Sequence, residues 1–330
     1  NGCGKSSILQ AIAATLGTAT RQISSPHDLD WEGFNISGID ANHRGKSDIT
    51  LDISFSNDEL LATSEYFEDI GHEENPEKPL SNAISQVAYL VRPAQEKLVK
   101  LRLYFDPERP SGLEDQPYVA SSENSETDKQ FLGRKYARNL IYNKRKSSQD
   151  LLQRVGSIFW YTEHRTFYST MPTIYDKNER NPNNEIKWLF TRWFAEDNRP
   201  KVVEFQRVYQ KFFPNRQLLR IGQVQSKLAP PIYFEEMTSK YIYELEELSG
   251  GERALLPMIL DFVEREISNS IILIDELELH LHPPLQQKLL SNLDNLGTNN
   301  QFIITTHSNY VASLVGAMPS AKLIRVDDED

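Results

Sequence analysis

A chain of 330 residues has room for one large domain or two lobes around a shared core, and 39% apolar with 25% charged residues is a globular composition. The formal net charge of -11 excludes a generally basic nucleic-acid-binding surface, so any such contact needs a local patch. A lone cysteine, Cys3, excludes a disulfide framework and points to a reducing cytoplasm. There is no signal-peptide pattern, and no apolar run nears the roughly 18–20 residues that span a bilayer, so no membrane role is expected.

The chain opens inside a glycine-rich run, Asn1-Gly2-Cys3-Gly4-Lys5-Ser6-Ser7, without the strand that normally precedes such a run, so the natural N-terminus is expected upstream. Ser6–Leu16 is predicted helical, with Ile8, Ile12 and Leu16 on one face and Gly17 as its cap. Asp48–Ser56 is predicted as a strand, because Ile49, Leu51, Ile53 and Phe55 alternate with polar residues. Polar helices and loops are expected from Asn57 to Gly156. Within them Asp106–Asp128 has little to bury and reads as mobile, and Lys129–Arg154 reads as a basic helix. A buried strand Ile158–Tyr161 leads to Thr162-Glu163-His164-Arg165. An aromatic helical segment, Ile186–Phe213, then precedes strands at Gln217–Val224 and Pro231–Glu236. From Tyr241 the pattern is strand, Gly-Gly turn and helix. The apolar strands Ile271–Ile274 and Phe302–Thr305 follow, joined by a helix Leu285–Leu296 with Leu285, Leu289, Leu293 and Leu296 on one face. Such alternation predicts a parallel sheet. No internal repeat is present.

Four short stretches carry chemistry. Gly2 to Ser6 matches the second half of G-x-x-x-x-G-K-[ST], in which backbone N–H groups and a helix N-terminus cradle phosphates. In that pattern Lys5 neutralises the β- and γ-phosphates and the Ser6 hydroxyl ligates Mg²⁺. A Gly-rich turn before an ordinary helix is the plainer alternative. Ile271–Ile274 ends in Asp275-Glu276, which places two acids at the carboxyl edge of the sheet, Asp275 suited to a Mg²⁺ shell and Glu276 to polarising a water. In isolation, a strand ending in solvated acids would look the same. Leu248-Ser249-Gly250-Gly251-Glu252 combines a helix-capping serine with glycines that leave N–H groups open to an anion. Thr305-Thr306-His307-Ser308 ends the adjacent strand, where a histidine can sense a γ-phosphate.

In this order the motifs resemble ABC-type ATPases, and Asp275-Glu276-Leu277-Glu278-Leu279-His280-Leu281-His282-Pro283 resembles the branch holding RecF-like, SMC-like and overcoming-lysogenization-defect (OLD) ATPases. The resemblance covers the first 17 residues and about Tyr241–Val326. It implies an α/β fold, a P-loop NTPase (ABC-type head) with an antiparallel β subdomain and a large helical insertion. Residues 1–56 and 241–330 would form the core, 57–156 the insertion, and 157–240 a lid and β segments. It implies a head-to-tail homodimer or higher even oligomer closing on ATP and Mg²⁺. Asn1 to Ser7 would hold the nucleotide, Ser6 and Asp275 the metal, and Glu276 would be the general base. His307 would be the sensor, and Ser249, Gly250 and Gly251 would contact the γ-phosphate from the other subunit. The biological expectation is an ATPase subunit of a bacterial anti-phage defence complex controlling a nuclease or toxin effector. A RecF-like DNA-repair ATPase and a slow nucleotide-gated scaffold are the alternatives. The family's glutamine loop is unassigned, and Pro257 is expected to bend the helix after the signature.

Other signals have plainer explanations. His164, His280 and His282 could suggest a metal site, but His280 and His282 fit a dimer-facing loop better. Arg165 could reach phosphate or a partner, or form an ion pair. Lys129, Arg134, Lys135, Arg138, Lys144, Arg145 and Lys146, with Tyr136 and Tyr142 among them, could contact DNA or RNA backbone, with a solvated helix face as the default. Trp188, Phe190, Trp193, Phe194, Phe205, Tyr209, Phe212 and Phe213 read as core or partner-packing residues.

Overall fold

The computed structural model describes residues 4–19, 47–73, 97–105, 118–119, 134, 138, 141, 149–161, 182–195, 199–222 and 230–326. The chain divides into two compact units. The first takes Asn1–Trp160, Ser268–Leu273 and Asp330, and the second Tyr161–Ile267 and Ile274–Glu329. Among the described residues no helix is long and apolar enough to cross a membrane.

In the first unit, helix α1 (Lys5–Ala19) packs on strands β1 (Ser47–Ser54) and β2 (Leu98–Phe105). Its buried face is Leu9, Ala13 and Leu16, while Ile8 is 47% exposed. The run Ile8-Leu9 and Ile12-Ala13 offers two adjacent apolar stripes, and packing selects the one beside that predicted. Strand β2 lies where only polar helices and loops are expected. It pairs antiparallel with β1, Ser47 opposite Phe105 through Ser54 opposite Leu98, and with the short β3 (Tyr118–Val119). The buried residues Val99, Leu101 and Leu103 alternate with Lys100 and Arg102, which is a strand's period. Apart from β3, the stretch expected to be mobile lies outside the described residues.

Helices α2 (Asn57–Glu73) and α3 (Gln149–Val155) pack through Ala62, Tyr66 and Val155, with Leu151 and the helical Ile141 beside them. Arg134 and Arg138 are only 1% and 4% exposed, which removes both from the proposed basic face. The Arg134 guanidinium lies 4.2 Å over the Phe55 ring. Arg138 pairs with the buried Glu59 carboxylate and donates at 3.0 Å to the Val155 and Gly156 carbonyls that end α3. Burial pushes the Glu59 carboxyl above the usual range, against the pull of Arg138. The other cations of that stretch lie outside the described residues. Gly156, at φ 64°, meets the Asn269 carbonyl so closely that a Cβ would lie 1.8 Å from its oxygen, so no other residue fits.

The second unit is built around an aromatic core. The predicted helical segment is two helices, α4 (Pro182–Ala195) and α5 (Arg199–Phe212). Phe190, Trp193, Phe205 and Tyr209 are fully buried between them, with Phe190 edge-on to Trp193 and Phe205. Trp188 and Phe194 are instead 48% and 41% exposed. Strands β5 (Arg216–Ile221), β6 (Ile232–Glu236) and β7 (Tyr241–Glu244) form an antiparallel sheet that adds Phe234 and Tyr243 to the cluster. Helix α6 (Gly250–Arg265) runs unbroken through Pro257 and buries Leu255, Leu256, Met258, Ile259, Leu260 and Phe262, as expected of a helix apolar nearly all round. Glu264 on α6 receives Trp193 Nε1 at 2.6 Å and Lys201 Nζ at 3.2 Å, joining the three helices.

Strands β4 (Ile158–Tyr161), β8 (Ile271–Ile274) and β9 (Gln301–Ile304) form a sheet in the order β4-β8-β9, and the unit boundary falls within β4 and β8. Ile271 N–H donates to Ser157 O and Asp275 N–H to Tyr161 O, both at 2.9 Å, so β4 and β8 advance together as parallel strands. Helix α7 (Pro283–Asn292) and a 3₁₀ turn (Leu293–Asn295) replace the single predicted helix, burying Leu289, Leu293 and Leu296 with Leu285 half-buried. Helix α8 (Asn309–Gly316) is the last helix among the described residues.

The inward turn of Arg138 makes a stability test. Arg138→Met leaves Glu59 buried and unpaired and is expected to cost about 3–5 kcal/mol in urea unfolding, whereas Glu59→Leu with Arg138→Met should cost far less.

Candidate functional site

In the first unit Gly4 adopts φ 77°, a conformation that favours glycine, immediately before α1. Lys5 and Ser6 are therefore the first two residues of a 15-residue helix, half-buried at the end where N–H groups lack intrahelical acceptors. Ser7 is exposed, and Asn1, Gly2 and Cys3 lie outside the described residues.

In the second unit a single hydroxyl shapes the two-acid turn. Thr305 N–H donates to Ile274 O at 3.0 Å, and Thr305 O accepts from Leu277 N–H at 3.1 Å. Thr305 Oγ1 donates to Asp275 Oδ1 and accepts from Glu276 N–H at 2.9 Å. Asp275, 7% exposed, is thereby oriented at the end of β8, and Glu276 is held at φ 46°. A non-glycine residue there costs of order 1–3 kcal/mol, which the Thr305 bonds offset. Glu278 ties the next loop back, accepting from Thr306 Oγ1 at 2.6 Å and His307 N–H at 2.5 Å. His307 Nε2 consequently lies 3.9 Å from Glu276 Oε1, facing it beyond hydrogen-bond distance. Ser308 caps α8 by accepting from Val311 N–H at 3.3 Å.

The Leu248–Glu252 stretch is a helix start rather than a turn before a helix, with Gly250 and Gly251 already helical. Ser249 is the N-cap of α6, its Oγ accepting from Glu252 N–H at 3.4 Å, while Glu252 Oε2 accepts from Ser249 N–H at 2.9 Å and Ser249 Oγ at 2.6 Å. Glu252 has no solvent exposure. Its Oε1 accepts from Tyr209 OH at 2.8 Å and Tyr243 OH at 3.1 Å, with Arg216 Nη1 3.4 Å away. Burial, then the Glu252 charge, pushes the Tyr209 hydroxyl far above the usual phenol range. Burial also raises that of Tyr243, against Arg216. A Cβ on Gly250 would meet nothing within 4 Å, whereas one on Gly251 would lie 2.5 Å from Leu285 Cδ2. A side chain at position 251 would therefore have to displace the end of Leu285, whereas the space beside Gly250 is open within this chain.

Asp275, Glu276 and His307 are therefore brought together in the second unit, as are Ser249, Gly250 and Gly251 at the start of α6. Lys5 and Ser6 belong to the first unit. Thr305 and Glu278 stand within quoted motifs, but their bonding is a tertiary fact. Nothing in the sequence marks Tyr209, Arg216 and Tyr243 as partners of Glu252. His280 is exposed at φ 60° and His282 precedes α7 as its N-cap, while His164 and Arg165 lie outside the described residues. Among the described residues no group of three His, Cys, Asp or Glu side chains is placed to hold a metal.

A family model described as "AAA domain, putative AbiEii toxin, Type IV TA system" matches residues 1–313. Among curated proteins the chain is similar to "Retron Vc95 probable ATPase" of Vibrio cholerae, 32% identical over 106 residues, which are 29% of this chain and 21% of that protein. It is also similar to "Retron Ec83 probable ATPase" of Escherichia coli, 38% identical over 80 residues, 21% of this chain and 15% of that protein. The match thus spans only 21% and 15% of these curated relatives' lengths. Among solved structures it is similar to an SMC head bound to the C-winged helix domain of ScpA, at 15% identity and a TM-score of 0.48, covering 95% of this chain and 82% of that one. With the family model spanning nearly the whole sequence, the chain belongs to that AAA-domain family, described as "putative AbiEii toxin, Type IV TA system".

Proposed function

We propose that this protein binds ATP with Mg²⁺ and hydrolyses it between two head-to-tail copies, as the ATPase subunit of a bacterial anti-phage defence complex. The observation that carries this reading is the Thr305 clamp, which orients Asp275, holds Glu276 in a costly backbone conformation and sets His307 opposite it. The supporting features are the Gly4-Lys5-Ser6 helix start, the membership in an ATPase family and the retron ATPase relatives.

The residues fit the expected cation. A serine hydroxyl and a carboxylate are hard oxygen donors of the kind Mg²⁺ takes, and no soft ligand stands among them. Ser6 and Asp275 would hold the ion, which supplies neutralisation of phosphate charge. Asn1 to Ser7 would cradle the phosphates, with Lys5 countering the β- and γ-phosphates. Glu276 would take up the proton of the attacking water, with His307 hydrogen-bonding the γ-phosphate. Gly250 supports the dimer reading, since the absence of a Cβ leaves the start of α6 open to an approaching phosphate. Ser249, Gly250 and Gly251 would meet the nucleotide of the other copy, and a nuclease or toxin effector would be gated by this closure. The acidic body and the buried Arg134 and Arg138 favour this reading over a nucleic-acid-binding repair ATPase.

Glu276→Gln is expected to lower steady-state ATP turnover roughly 10²–10⁴-fold while nucleotide is still bound and a dimer accumulates. Equal, negligible turnover in wild type and variant would replace the enzyme with a nucleotide-gated scaffold. Lys5→Ala should abolish binding of a fluorescent ATP analogue. Thr305→Val should lose at least roughly tenfold in kcat, with about 1.5–3 kcal/mol of stability, because Asp275 and Glu276 lose the hydroxyl that sets them.

A further inference from the structure

Glu252 is more than the second half of a capping box. A serine hydroxyl has one hydrogen, and a carboxylate can only accept. With Ser249 Oγ 2.6 Å from Glu252 Oε2, that hydrogen points into the protein, and the Oγ lone pairs face Glu252 N–H at 3.4 Å. A phosphate oxygen, also only an acceptor, cannot receive the Ser249 hydrogen until Glu252 gives it up.

The surroundings make this exchange inexpensive. Without the Ser249 hydroxyl, Glu252 Oε2 keeps Ser249 N–H at 2.9 Å, and Oε1 keeps Tyr209 OH at 2.8 Å and Tyr243 OH at 3.1 Å. Arg216 Nη1 donates to Tyr243 OH at 2.9 Å and sets a positive charge 3.4 Å from the carboxylate, which offsets the approach of a second anion. The partners of Oε1 come from α5, β5 and β7, so that oxygen is anchored by elements other than α6.

We propose that Glu252 is a positioning residue that holds the Ser249 hydroxyl hydrogen in reserve and yields it to a phosphate oxygen when a second copy presents its nucleotide. The inference rests on the reading that Ser249 meets that nucleotide, and it deepens that reading by naming the group that controls the serine.

The test uses the full-length protein with Glu252→Gln, Ser249→Ala and the double variant. Two quantities are read: affinity of the dilute monomer for a fluorescent ATP analogue, and the ATP-dependent dimer dissociation constant from sedimentation. Glutamine cannot accept from Tyr209, Tyr243 and Ser249 at once, and the loss of the carboxylate that fixes the Ser249 hydroxyl outweighs the release of its hydrogen. Each single variant should therefore weaken dimerisation roughly tenfold with monomer affinity unchanged, and the double should be no weaker than the worse single. Losses that multiply in the double variant would overturn the proposal while leaving the role of Ser249 intact. Wild-type dimerisation of Ser249→Ala would instead overturn the nucleotide contact itself, and this inference with it. If Glu252→Gln fails to fold by circular dichroism, Tyr243→Phe replaces it. It should again show no further loss when combined with Ser249→Ala, and multiplying losses would again overturn the proposal.

Discussion

A carboxylate deprived of water must find donors inside the protein or become a source of instability. Glu252 is fully buried, and its donors come from separate elements: Tyr209 from α5, Tyr243 from β7, Ser249 from the helix start and the Arg216 charge from β5. Tyr209 and Tyr243 cannot both shift without leaving Oε1 short of donors, whereas the Ser249 hydroxyl can, because Oε2 keeps the Ser249 N–H. The aromatic core and the antiparallel sheet of the second unit are thereby tied to the Ser249 helix start, so its geometry is set by the lobe around it.

The same economy governs the Asp275–Glu276 turn. Thr305 uses its backbone N–H, its carbonyl and both capacities of its hydroxyl on residues 274 to 277, and Glu278 repeats the device with Thr306 and His307. Glu276 and His307, proposed here for water activation and phosphate sensing, sit on two strand ends cross-linked by side chains, and neither loop has to find the other by chance. Rigid support of this kind is what keeps reacting groups within reach of a productive geometry.

Charge proved a poor guide to surface in the first unit. Arg134 and Arg138 sit in a run of cations that reads as a solvated basic helix, yet one covers Phe55 and the other satisfies Glu59 and the last carbonyls of α3. Arginine has the long apolar stem and the fork of donors that such interior roles need. Composition alone does not distinguish a guanidinium facing water from one capping a helix from within.

The sequence by itself determined the order of strand, helix and strand around the two acids, the helix that follows Gly4, and the identity of the motif residues. These are local patterns, in which a few consecutive side chains prescribe a backbone state. It also carried the period-two run of β2, in a stretch otherwise dominated by polar residues. Only the tertiary structure decided which stripe of α1 is buried, that Glu252 is bonded by Tyr209 and Tyr243, and that Thr305 sets the conformation of Glu276. Each joins residues that packing alone brings together, and such pairs, separated by 9 to 43 positions in the bonds of Glu252 and Thr305, leave no periodicity to read along the chain.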